Sequence, residues 1–108
     1  MAHYMVQFSY AKEAVAAFAR KPEDRSAPVK AMVEKLGGHV TAFYYSFGDY
    51  DGLAIIEGSD NVGALAAVMA AVAPGHLSKI KTTVLLTMEE SVEAMKKAAK
   101  VTLPAPGG

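Results

Sequence analysis

The sequence contains no cysteine, which excludes a disulfide framework, a thiolate nucleophile and a thiolate-ligated metal. Neither sign of charge is in excess: eleven Lys and Arg balance eleven Asp and Glu. There is no basic field to draw in nucleic acid or an anionic membrane, so neither is an expected partner. Long apolar runs are missing as well. The charge-free run from Asn61 to Gly75 is too short for a membrane-spanning helix. The start of the chain lacks the charged-then-apolar layout of a secretory leader. There is no G-x-S-x-G elbow, H-E-x-x-H, phosphate-binding loop or G-x-G-x-x-G. These absences lead to the expectation of a soluble cytoplasmic protein with no cofactor and no metal.

What the sequence does have is hydrophobicity. Apolar residues make up 52% of a chain of 108, slightly more than a soluble domain usually carries. One domain of this size buries only a thin core. The excess therefore points to a homo-oligomer interface as a sink. Residues 1–100 read as a single domain and 101–108, "VTLPAPGG", as a Pro/Gly-rich tail.

Alternating apolar positions in "HYMVQFSY", His3 to Tyr10, predict a strand. The alanine-rich segment Ala11 to Arg20 predicts a helix, with Ser9 as its N-cap. Pro22 and Pro28 break it, and helical spacing returns from about Ala27 to Leu36, where Gly37-Gly38 stops it. His39 to Phe47 and Leu53 to Glu57 predict two strands joined as a hairpin through "GDYDG", whose Gly and Asp suit left-handed and Asx-turn geometry. Ser59 or Asp60 caps a helix from Asn61 to Ala73, with Val62, Leu65, Met69 and Val72 as its expected core stripe. Gly63, Ala67 and Ala71 form a small-residue ridge on its other side, suited to a second protein contact. Leu77 to Thr87 predicts the fourth strand. Thr87 and Glu90 form a capping box for a last helix that carries Val92, Met95 and Ala99 on one face.

The order βαββαβ predicts an α+β, ferredoxin-like fold: an antiparallel sheet of order 4-1-3-2 with helices on one face, plus a C-terminal helix. Simple alternation in the hairpin places Val40, Ala42 and Tyr44 on one face and Thr41, Phe43, Tyr45 and Phe47 on the other. Both faces are then apolar. Either the last helix folds across the open face, or a second subunit does so to make a dimeric α+β barrel. The second is the expectation, with helix 61–73 as a further contact between subunits.

This topology gathers Tyr10, Arg25, Asp49, Tyr50, Asp51 and His76 at one end of the sheet, a set suited to binding a small polar or aromatic molecule or to acid–base work. Tyr44 joins them as a ligand-binding candidate from the aromatic strand. No catalytic residue is assigned. The other end brings His3, Glu57 and His39 together; the spacing of the histidines is too wide for direct ligation of one metal.

The stretch Glu34 to Asp51 resembles the GYD-domain family. Gly37, Gly38, Tyr44, Gly48, Tyr50 and Asp51 match its Leu-Gly-Gly stop, aromatic strand and G-x-Y-D turn. Arg25 matches an arginine at the start of its second helical segment, and Lys81 to Leu85 its final strand. The resemblance spans about residues 4 to 92 and implies a dimeric α+β barrel. Three functional expectations follow: a homo-oligomer that binds a small molecule between sheet and helices, a cofactor-independent monooxygenase or isomerase using Tyr50 or His76 with Asp51, and an assembly module without activity.

Overall fold

The computed structural model describes residues 2–107. Its elements are β1 (His3–Tyr10), α1 (Lys12–Arg20), α2 (Ser26–Lys35), β2 (His39–Tyr45), β3 (Gly52–Glu57), α3 (Asn61–Val72), β4 (Leu77–Leu85) and α4 (Met88–Ala98). The sheet is antiparallel in the order β2-β3-β1-β4, the ferredoxin-like order expected from the sequence.

Local chemistry explains the boundaries. The Asp24 carboxylate accepts from the Ser26 N–H at 2.8 Å and from its hydroxyl at 2.6 Å, which holds that carboxyl below its usual range and starts α2. Pro28 sits in the first turn of α2, where its missing N–H has no helical partner to lose. At the other end the Gly38 N–H reaches Val33 O and the Gly37 N–H reaches Glu34 O, a Schellman stop with Gly37 at φ 86°. Asp60 caps α3 by accepting from the Gly63 N–H. Ser9 does not cap α1. It is buried in β1, which runs on to Tyr10, and Ala11 stands at the cap without a side-chain bond.

The face of β1 bearing Tyr4, Val6, Phe8 and Tyr10 meets the helices. Tyr4 is the anchor: it is 2% exposed, and its hydroxyl donates to Asn61 Oδ1 at 2.6 Å, tying the central strand to the start of α3. β2 departs from simple alternation. Its register against β3 shifts between Val40 and Ala42, so Val40 pairs with Ile56, and Phe43 with Ala54, on the same face. The extra residue, Thr41, forms a β-bulge. Val40 therefore belongs with Phe43 and Tyr45, and Ala42 and Tyr44 lie on the other face.

Helix α3 is turned the opposite way from the sequence expectation. Its buried residues are Ala64 and Ala67, while Val62, Leu65, Met69 and Val72 are 78, 59, 63 and 42% exposed. The small residues face the interior, and a charge-free helix gives no polar face to fix its rotation. Gly63 sits tightly against the end of α2 and the loop before α3: a Cβ there would lie 3.1 Å from Leu36 O and closer still to the Ser59 hydroxyl.

Between β2 and β3 the chain takes a longer path than a tight hairpin. Ser46 N–H donates to Asp51 O and Ser46 Oγ to Tyr50 O, both at 2.8 Å. Gly48 and Gly52 do not use left-handed backbone. Gly52 is required for space instead, because a Cβ there would stand 2.6 Å from Phe8 Cζ and 3.0 Å from Tyr45 Cδ1. Gly52→Ala must displace the buried Phe8 ring and the half-exposed Tyr45 ring. It is expected to lower unfolding free energy by about 1–3 kcal/mol, the usual cost of overpacking, read from urea denaturation.

Candidate functional site

A cavity of about 250 Å³ lies between the helix-facing side of the sheet and helices α2 and α3. Its floor is Val6 and Phe8 from β1, Phe43 from β2, Ala54 and Ile56 from β3, and Ile80 from β4. Its roof is Val29, Met32 and Val33 from α2 and Ala67, Val68 and Ala71 from α3. β3 contributes a small residue to the floor: Ala54 sits opposite Phe43 on one side and Val6 on the other, while the space beside Gly52 is taken by the Phe8 and Tyr45 rings.

At one end the lining becomes polar, with Tyr10, Arg25 and His76. The Ala11 N–H donates to His76 O at 2.7 Å, which brings the start of β4 to the end of β1. Tyr10 leads an aromatic cluster. Its ring makes edge contacts with Phe18 at 4.9 Å, Phe8 at 5.5 Å and Tyr45 at 5.9 Å between centroids. The Tyr10 and Tyr45 hydroxyls are 2.8 Å apart. Burial, then the bond to Tyr45 and its nearby charge, push the Tyr10 phenol well above its ordinary value of 10.0, and Arg25 only partly opposes this. Tyr10 is thus a neutral donor or acceptor at physiological pH, not a base.

Of the seven candidates from the sequence, Tyr10, Arg25 and His76 line the cavity. Asp51 is beside them but is already engaged: its Oδ2 accepts from the Tyr10 N–H at 2.9 Å, and its own N–H donates to Phe8 O at 2.9 Å. It fastens the G-x-Y-D turn to the end of β1. Tyr50 lies outside the cavity with Lys79 Nζ 4.5 Å from its ring centroid. Asp49 is exposed in the turn. Tyr44 is 65% exposed and points to the opposite face from Phe43 and Tyr45.

Of the aromatic residues of β2, which together suggested a pocket, Phe43 lines the cavity and Tyr44 does not; Met32 and Ile80 were not among the candidates.

At the other end of the sheet His3 Nε2 lies 3.2 Å from Glu57 Oε2, and His39 pairs across from Glu57. Among the described residues no three His, Cys, Asp or Glu side chains gather to hold a metal ion. No helix among them is long and apolar enough to cross a membrane.

The sequence pattern of the GYD domain matches residues 4–95. The chain belongs to the GYD-domain family. Its matched span takes in all four strands apart from His3 at the start of β1, and both walls of the cavity. The fold is also that of TTHA0845 from Thermus thermophilus, whose crystal structure superposes with a TM-score of 0.52 at 15% identity, covering 81% of this chain and 95% of that one. No curated protein matches the sequence.

The raised Tyr10 phenol gives a signed expectation. Above pH 10 the unfolded chain releases this proton while the folded chain keeps it, so stability falls as pH rises from there toward the folded value. Tyr10→Phe is expected to flatten that alkaline slope, measured by urea unfolding at stepped pH.

Proposed function

We propose that this GYD-domain protein binds a small, mostly apolar molecule with one anionic end, and that it does so as a homo-oligomer. The carrying observation is the cavity lining. It is hydrocarbon and aromatic nearly throughout, contains no acidic residue among the described ones, and is polar only where Tyr10, Arg25 and His76 meet. Such a cleft orients a ligand by its few polar groups while apolar contact supplies most of the affinity. A guanidinium offers two parallel donors to a carboxylate. Arg25 Nη1 lies 3.2 Å from Glu23 Oε2, but the pair is 37 and 50% exposed, so exchanging Glu23 for a ligand carboxylate costs little.

Turnover has weaker support. Asp51, the partner that a Tyr50 or His76 proton relay needs, is committed to the Tyr10 N–H, and Tyr50 stands outside the cavity. A monooxygenase or isomerase reading is left with His76 and the neutral Tyr10.

Benzoate and benzyl alcohol separate the two parts of the binding proposal, because they share a ring and differ in charge. Amide chemical-shift titration is expected to place benzoate against Val6, Phe43 and Ala71. Arg25→Gln is expected to weaken benzoate about tenfold or more, the scale of a lost charge-assisted hydrogen bond, and to leave benzyl alcohol unchanged. Perturbations confined to the exterior would refute the site.

The homo-oligomer half of the proposal is supported by the outer sheet face, where Met5, Ala42, Leu53 and Ile55 are only half-buried beside exposed Tyr44. Helix α4 does not cover it, since no α4 residue is buried. A second copy of the same face matches it in chemistry. Ile55→Lys is expected to reduce the mass seen by light scattering to that of one subunit at micromolar concentration, with far-UV circular dichroism unchanged. A mutant that keeps the parent mass would remove this face from the assembly.

A further inference from the structure

Helix α4 leaves the body of the protein. The Cα radius of gyration is 17.8 Å, whereas a compact chain of this length measures about 13 Å. Along α4, Met88, Val92 and Met95 are 77, 46 and 66% exposed. The helix is nonetheless well formed at its start. Thr87 Oγ1 accepts from the Glu90 N–H at 3.0 Å, and Glu90 Oε1 accepts from the Thr87 N–H at 2.9 Å.

Met88, Val92, Met95 and Ala99 follow the four-three-four spacing of a coiled-coil seam. One flank of that seam carries Glu89 and Glu93 in the first half, where both border a pocket shared with His3 of the same chain, and Lys96 in the second, with Lys100 just past the helix end. The other flank carries Ser91, Ala94 and Ala98, small enough for a close neighbour.

We infer that α4 pairs antiparallel with α4 of a second copy. That direction sets Met88 against Ala99 of the partner subunit and Val92 against Met95 of the partner subunit, so large meets small at the ends and similar sizes meet at the centre. It also sets Glu89 against Lys96 of the partner subunit, twice by symmetry. A parallel pair lays acidic half beside acidic half. Docking on the outward stripe of α3 meets no charge at all, because Asn61–Val72 contains none. The charge pattern therefore selects α4 itself as the occupant, independently of whether the sheet faces also pair.

The native chain has no cysteine, so engineered pairs report this contact without background. Full-length Val92→Cys is mixed with full-length Met95→Cys under mild oxidation, and the rate of mixed disulfide is measured. Adding Lys96→Glu to both is expected to slow it about fivefold or more, since two attractive pairs become repulsive. Combining Glu89→Lys with Lys96→Glu is expected to restore it to near the parent rate, which also shows that the variants fold. A rate insensitive to Lys96→Glu overturns the inference. So does faster coupling of Met95→Cys to Met69→Cys on α3 than to Val92→Cys.

Discussion

The packing of the Phe8 ring over the bare backbone of Gly52 is the contact on which the rest of this structure depends. Phe8 is 7% exposed in the central strand and pairs with Gly52 on one side and Ile80 on the other. Its carbonyl accepts the Asp51 N–H, so the turn is pinned at the same place. Its ring supports Tyr10, Phe43 and Tyr45 and forms part of the cavity floor. The second glycine of "GDYDG" thus serves the core, and Asp51 serves the strand end. The turn shapes the site's polar edge by holding Tyr10 in place.

Much of this was legible in the sequence. The strand–helix order pointed to one topology, because a βαββαβ chain with short connections has few other ways to bury its apolar faces. The Gly37-Gly38 stop and the Thr87–Glu90 capping box were readable because each is a local hydrogen-bond pattern tied to residue type. The errors have physical causes. The bulge at Thr41 reversed the side of Val40, and an extra residue leaves no mark in a strand whose two faces are both apolar. The rotation of α3 was misjudged because size suggested that Val62, Leu65, Met69 and Val72 belong inside. Here Ala64 and Ala67 are the buried residues, and a helix without charge offers no polar side to oppose that rotation. The convergence of Tyr10, Arg25 and His76 was legible from topology alone. The side chosen for Tyr44 and the engagement of Asp51 depend on the bulge and on the path of the turn, which residue types do not specify.

The candidate site combines an apolar volume made by omission with a small polar end. Ala54, Ala67 and Ala71 contribute room, and Phe8, Phe43 and Ile80 contribute walls. Tyr10 is held as a neutral phenol by its own surroundings, so the charge available to a ligand at neutral pH comes from Arg25, with His76 adding an imidazole that can hydrogen-bond. Such an arrangement is suited to recognising one charge on an otherwise greasy molecule. Membership in the GYD-domain family accounts for the frame; the chemistry of the cavity comes from this chain's own side chains.

The outward stripe of α3 has a colloidal consequence. The sequence carries no formal net charge at pH 7 and has an isoelectric point of about 6.8. An isolated subunit near neutrality thus presents Val62, Leu65, Met69 and Val72 to water with no long-range repulsion between copies. Buffer pH sets the charge of the whole molecule but cannot change that face, since α3 has nothing to titrate. Handling the protein one or two pH units above its isoelectric point supplies from elsewhere on the surface the repulsion that this helix lacks.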